Sequence, residues 1–467
     1  MKYDILLQNG HVVDPVNEKD EVIDVGLKDG KVVELGSGLR SSDAAEVFDL
    51  GGYLVVPGLV DIHVHISAWI GGHRGHKMMA KAGVTTALDL SGPINSVLKM
   101  ARDYGTGLNI ACIDYVRPGY TVETEDPGKE ELQDFIEEAM SKGAIGYKLL
   151  GGHYPLTPEA TARAIEVANK KKAHVTFHAG TLKNGSDLNG FKEAVQLAAG
   201  NTLHLAHINS YCRGRVKPVL EEYKEIVETL EANPNIICES YLSAVNGTSS
   251  KCSAGVPESN VTKTCLQTGG FEPTEDGFAE AILAGWAQIN MKAGGVNKLA
   301  VGQEALEYWR ENGTDGTVSF AVNPGESRYL LATAKRKDGN FVVDAIGTDG
   351  GGIPRNSTVE LGLGLVKFGG LNINEFVYKS SVNPAKMLGL ENKGTLGVGA
   401  DADVTVLDWE RNKAHITIAN GKLVMYDGVV VGKGATFITT EAGKNNVEGY
   451  GLKPLVIEPR TGGTFKR

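Results

Sequence analysis

Six side chains in this sequence have the types and positions to hold metal ions and move a proton. His63 and His65 stand in Asp61-Ile62-His63-Val64-His65, inside the apolar stretch LVDIHVH. Alternate residues of a strand share a face, so both imidazoles point the same way and offer one metal two nitrogens. Two interior histidines that only hydrogen-bond would give the same spacing, so the pair gains meaning from its company. Lys148 sits near the end of AIGYKLL, on the face of Ala144 and Gly146. An amine that late in an apolar strand either reaches solvent or is buried with a partner or a lowered pKa. One solution is addition of CO2 to the neutral amine, giving a carbamate whose two oxygens bridge two divalent cations. His178 ends AHVTFH and His207 sits in LHLAHINS, together suited to a second metal site. Asp349 closes AIGTD ahead of three glycines that let backbone and substrate approach closely. An acid there can coordinate metal, orient water and shuttle its proton.

Other histidines nearby read as structural. His174 shares a strand face with His178 but lies about 13 Å deeper at ~3.3 Å per residue. His204 is three positions from His207 and faces the other way in a regular strand, so His207 is taken as the ligand. His73 and His76 follow a Gly-Gly turn where a helix begins, and are read as non-ligands.

The elements that must position these groups alternate in type. Apolar strand candidates at 59–65, 84–90, 108–115, 144–150, 173–178, 202–207, 235–240 and 342–349 are separated in several places by helical stretches such as KEELQDFIEEAMSKG and TPEATARAIEVANKK. Eight such strands predict an α/β fold, a (β/α)8 barrel of the TIM type over residues 57–394. Barrel active sites form at the C-terminal strand ends, where five of the eight strands place His, His, Lys, His, His and Asp. Residues 1–56 and 395–440 read as short antiparallel strands with Asn-Gly and Asp-Gly turns, which predicts one β-sandwich domain built from both ends. The segment 241–341 is too long for one crossover and reads as an inserted lid or cap, helical at 275–292 and 298–312. Residues 441–467 form a tail with little periodicity, either an arm on a neighbouring subunit or a flexible end.

Composition narrows the function classes. The 467 residues carry 47 Lys+Arg against 57 Asp+Glu, a net charge of −10, without a basic cluster, so neither nucleic acid nor an anionic membrane is an expected partner. No apolar run reaches ~18 residues, and the opening MKYDILLQNGHVVDP lacks the pattern of a secretion signal. Cys112, Cys212, Cys238, Cys252 and Cys265 form no CxxC pair, which argues against a disulfide framework and for a reducing cytoplasm. Candidate substrate contacts near the strand ends are Tyr154, Ser210, Tyr211, Arg213, Arg328 and Arg355, an arginine being able to clamp a carboxylate bidentately.

Taken with PGLVDIHVH, GVTTALDL, GAIGYKLL, IGTD, NPAKMLGL and GTLGVGADADVTVLD, the sequence resembles the amidohydrolase superfamily, in the carboxylated-lysine branch of hydantoinases, dihydropyrimidinases, dihydroorotases and allantoinases. The resemblance implies two divalent ions, zinc first with Mn, Fe or Co alternatives. One is held by His63, His65 and Asp349, the other by His178 and His207, with carboxylated Lys148 bridging. It implies hydrolysis of a C–N bond in a small cyclic amide or ureide by a metal-bridged hydroxide, with Asp349 carrying the proton, and a dimer or tetramer of the chain. The opening YDILLQNGHVVDP, the polar segment before the last strand and NPAKMLGL are also similar to N-acyl-D-amino-acid deacylases, in which a lysine at this position is not the usual pattern. Linear N-acyl amino acids are therefore the alternative substrates, and a mononuclear aminohydrolase is a second alternative.

Overall fold

A computed structural model describes residues 1–459 of the chain. Eight parallel strand segments form a closed barrel: Leu59–His65, Val84–Asp89, Thr106–Cys112 continued as Asp114–Val116, Gly146–Leu150, His174–His178, Leu203–Leu205, Ile236–Ser240, and an eighth strand split into Ala345–Ile346 and Gly350–Gly351. The split closes the barrel, because Ala345–Ile346 pairs with the seventh strand and Gly350–Gly351 pairs with Val64 and His65 of the first. Each strand is followed by a helix that covers it. These helices start where the sequence supplies a start signal: Thr157 accepts from Ala160 N ahead of Pro158, and Asp187 accepts from Asn189 N and Gly190 N. Inside the barrel, Ile62, Leu88, Ile113, Ile145 and Ile237 pack on Met387, Leu388 and Leu390 of the NPAKMLGL segment.

The strands from the two ends of the chain form the expected β domain, hydrogen-bonded as one nine-stranded sheet whose N- and C-terminal strands share one core. Its seam pairs Leu54–Pro57 with Val404–Asp408 in antiparallel register. Residues 434–440, expected in that sheet, go elsewhere. Gly434–Thr439 pairs in parallel with Thr106–Cys112, and Lys453–Val456 pairs with it in turn. The tail through Val456 thus extends the barrel sheet, with Phe437, Val447 and Leu452 buried among Leu108, Ile110 and Val97. The remaining residues of the tail, 460–467, lie outside the described residues.

The insertion is a small α/β unit with a four-stranded sheet and its own core around Phe278, Trp309 and Phe320. The helix expected over 275–292 stops at Leu283, because Gly285 takes φ +79° and the next residues alternate in burial as the strand Ala287–Ala293. A strand, Val296–Ala300, likewise precedes the helix Gly302–Glu311. The insertion ends before Gly325–Thr333, a helix that packs on Val219–Ala232 as part of the barrel's outer layer. Among the described residues no helix is long and apolar enough to cross a membrane.

If the C-terminal strand is integral to the barrel, Phe437→Ala will cost about 3–5 kcal/mol in urea unfolding, as a large side chain removed from a closed core does. A cost under about 1 kcal/mol would mean that this strand merely leans on the barrel.

Candidate metal centre

The first strand delivers His63 and His65 to the mouth, and the break in the eighth strand brings Asp349 onto them. Asp349 N donates to His63 O at 2.8 Å and Gly352 N to His65 O at 2.8 Å, so the eighth strand docks directly on the HxH pair. Gly351, at φ +76°, permits this contact, since a Cβ there would lie 2.5 Å from His65 O. Asp349 itself takes φ +51° and turns its carboxylate inward. Its Oδ1 then lies 2.7 Å from His65 Nε2 and 3.2 Å from His63 Nε2. One ligand atom from each of the three residues falls within 4.8 Å of the others.

Lys148 is buried on the fourth strand, two residues below its end, with Nζ 3.4 Å from His63 Nε2. No carboxylate comes within ion-pair distance of that amine among the described residues. On the next strand His178 Nδ1 faces His207 Nε2 at 3.2 Å, and the His207 ring stacks on His63 with centroids 5.3 Å apart. Gly152 allows the chain to pass the His178 ring, which a Cβ there would meet at 2.2 Å. The six predicted side chains therefore converge on one region of the mouth.

The face expected for His204 is corrected by the backbone. The sixth strand ends at Leu205, and His207 adopts φ +37°, so His204 and His207 both turn into the barrel. His204 belongs to a layer beneath the centre: its Nδ1 meets His174 Nε2 at 3.1 Å and its Nε2 meets Glu239 Oε2 at 2.5 Å. Glu239, missed in the sequence, is 1% exposed. Its Oε1 accepts from His63 Nδ1 at 2.5 Å and from His207 N at 2.8 Å. The signal was present, an acid near the C-terminal end of the apolar strand IICES, and it is the same kind of signal that marked Lys148.

Of the candidate substrate contacts, Arg355 is given a different role. Its Nη2 lies 2.7 Å from Asp349 Oδ2, its Nε donates to Asp349 O at 2.6 Å, and its side chain is 1% exposed, so its guanidinium is committed to the site's own carboxylate. Arg213 stays uncommitted in charge: Nε donates to Asn323 Oδ1 at 2.9 Å, Nη2 to Ser210 Oγ at 3.1 Å and Tyr241 Oη at 3.2 Å, all neutral acceptors. Tyr241 stands 6.3 Å from the His207 ring, which puts Arg213 one side chain behind the centre. Tyr211 braces the mouth by accepting from Ala179 N at 2.9 Å. Arg328 donates to the carbonyls of Leu242 and Asn323 and so braces a loop. Tyr154 lies half-exposed under Arg117, 4.2 Å from the guanidinium carbon to the ring centre. His73 and His76 lie on the helix Gly72–Lys81 and are not among the converging groups.

Burial and the surrounding charges sort the protonation states. Burial pushes His178 and His207 well below the ordinary imidazole value, and His65 down to about 3 against the pull of Asp349. It also lowers Lys148, opposed by Asp349 and Glu239. Burial would raise Asp349 and Glu239, but Arg355 and His63 hold the first well below the carboxylate range, and His204 and His63 the second. Desolvation works against a charged His63, and Asp349 outweighs it, so that imidazole is raised. This donor set fits a divalent cation. With Nδ1–H donated to Glu239, His63 directs Nε2 at Asp349 Oδ1, a contact that a proton on that nitrogen satisfies in the free protein and that a divalent cation between the two satisfies when bound. His65 Nδ1 and His207 Nδ1 are buried without hydrogen-bond partners, as little-solvated ring nitrogens whose Nε2 atoms face the centre.

Comparison with known proteins places this geometry. Residues 54–245 and 325–433 match the model of the Amidohydrolase family. The gap between the two segments spans the inserted unit. The chain is 25% identical over 453 residues to a dihydroorotase of Geobacter metallireducens, covering 90% of this chain and 92% of the relative. In three dimensions it is similar to the N-acyl-D-glutamate deacylase of Bordetella bronchiseptica, solved with zinc and a phosphonate inhibitor, at a TM-score of 0.67 and 15% identity over 93% of this chain and 99% of that one. It is also similar to the dihydropyrimidinase of Brevibacillus agri, at 0.62 and 18% over 94% and 99%.

The Asp349–Arg355 pair has a measurable energetic signature in metal-free protein. Asp349→Asn strands a buried guanidinium and is expected to cost about 3 kcal/mol, while Asp349→Asn with Arg355→Gln recovers most of that loss. Equal unfolding midpoints for the single and double variants would show that the two charges are not coupled.

Proposed function

The chain belongs to the amidohydrolase family and is a metal-dependent hydrolase of carbon–nitrogen bonds other than peptide bonds; from that premise we propose that its substrate is a cyclic amide or ureide of hydantoin or dihydropyrimidine type. The observation that carries this reading is Lys148, a buried amine 3.4 Å from His63 Nε2 with no carboxylate within ion-pair distance among the described residues. Addition of CO2 to the neutral amine, with loss of one proton to solvent, would replace a stranded amine with a carbamate whose single negative charge is shared by two oxygens able to ligate cations. His63, His65 and Asp349 would hold one ion, and His178 and His207 the other. Bound there, divalent ions supply Lewis acidity to an amide carbonyl and make water a nucleophile near neutral pH.

The protein's own groups do the rest. Glu239 fixes the His63 tautomer by taking its Nδ1 proton in a hydrogen bond. Asp349 is the one carboxylate facing both HxH imidazoles, and it takes the proton of the attacking water and returns it to the departing nitrogen, which would otherwise leave as an amide anion. Arg355 on Oδ2 keeps Asp349 ionised and ready to accept, and it lowers the carboxylate's basicity so that the proton passes on. Arg213, a cation held by three neutral acceptors, suits a substrate that carries a carboxylate beside the scissile bond.

Two measurements test this reading. Metal content by mass spectrometry, on protein purified with bicarbonate and without chelator, is expected to give two ions per chain, falling to one or none in Lys148→Ala. One ion in both proteins would remove the bridging role and point to a mononuclear deacylase or deaminase, and release of acetate or formate from N-acyl amino acids in place of ring opening would make the substrate linear. Arg213→Gln is expected to raise KM by about 10- to 100-fold for a carboxylate-bearing substrate with little change in kcat, the worth of one or two charge-assisted hydrogen bonds. An unchanged KM would remove Arg213 from substrate recognition.

A further inference from the structure

A half-open pocket lies away from the six converging side chains, none of which lines it. It is a cavity of about 470 Å³ at the seam between the inserted unit and the loop that leads from the first barrel strand into its helix. That volume is within the range of small-ligand sites. The barrel contributes Trp69, His73 and Arg74, and the insertion contributes Lys292, Tyr308 and Asp315. The seam is fixed, because Asn297 Nδ2 donates to Gly352 O at 2.7 Å and Asn290 Nδ2 to the same oxygen at 3.1 Å.

The two walls face each other with a net positive charge. Among the described residues neither Arg74 nor Lys292 forms an ion pair, and Arg74 Nε is buried without any hydrogen-bond partner. Asp315 is the one acid lining the space. Their field is felt locally: burial pushes the His73 imidazole down, and Arg74, Lys292 and Lys77 push it further the same way. Two cationic side chains without ion-pair partners, one on each wall, can close on an anion that enters between them. We propose that this seam is a binding site for a small anion, a carboxylate or phosphate on an apolar or aromatic body, held between Arg74 of the barrel and Lys292 of the insertion. Trp69 and Tyr308 would face the body of such a ligand. The site stands independently of which amide the metal centre opens.

Calorimetric titration of the intact, metal-loaded protein with inorganic phosphate and, separately, with succinate tests it and tells the two head groups apart. One saturable site per chain is expected for at least one of these anions, with affinity reduced tenfold or more in both Arg74→Gln and Lys292→Gln, each checked for an unchanged melting profile without ligand. No saturable binding of either anion overturns the proposal. So does binding that only one substitution weakens, or that neither does, since the anion would then sit elsewhere, the metal centre included.

Discussion

Glu239 is a carboxylate taken almost wholly out of water with both oxygens committed, one to His63 Nδ1 and the His207 backbone, the other to His204. Burying such a charge is expensive, and its cost is offset only if every partner is in place. The rest of the mouth is arranged around that requirement. Three strands are tied together by one side chain: the first through His63, the sixth through His204 and His207, and the seventh through Glu239 itself. The tie also selects a tautomer, since a His63 that donates from Nδ1 must present its Nε2 lone pair upward. Below it His204 and His174 extend the buried polar layer toward the barrel interior, where the apolar plug of Met387, Leu388 and Leu390 begins.

Local backbone strain completes what the carboxylate begins. Asp349 and His207 both sit at positive φ, a conformation side-chain-bearing residues adopt only when their surroundings impose it. In each case the imposing contacts are visible. Asp349 is held by its backbone bond to His63 and by Arg355 on its carbonyl and carboxylate, and His207 is held by Glu239 on its amide. The regular ends of two strands are given up so that two side chains can turn inward, and beside Asp349 the glycines at 350–352 supply the room.

Strand ends were the most legible feature of the sequence. A polar residue closing an apolar run in a barrel has one place to go, so His63, His65, Lys148, His178, His207 and Asp349 could be assembled without knowing any contact. Glu239 had the same signature in IICES and was passed over because it was treated as part of a strand, and its charge was never weighed. The face of His204 was misjudged because a regular strand was assumed through residue 207, and only the left-handed turn at His207 puts both rings inside. Arg355 looked free because nothing in its immediate sequence is acidic beyond Asp349, six residues back. In the insertion, an alternating strand at Ala287–Ala293 was merged into the preceding helix although Gly285 separates them. For Gly434–Thr439 the strand itself was evident; what local pattern does not encode is which sheet a strand joins, since either edge offers the same hydrogen-bonding groups.

That last strand bears on how the molecule is made. Its register joins Thr436 to Asn109 and Ile438 to Ala111, so the third barrel strand finds one of its hydrogen-bonding neighbours only when a segment synthesised far later arrives. Contacts so distant along the chain carry a large loop-closure entropy and slow the search for the native state. Until then the edge of Thr106–Cys112 is an open row of backbone donors and acceptors beside a buried apolar face, the kind of surface that pairs with the wrong chain. On the ribosome, therefore, the half of the barrel that carries His63 and His65 has an unguarded edge until Gly434–Thr439 emerges, and that strand is the stitch that ends its exposure.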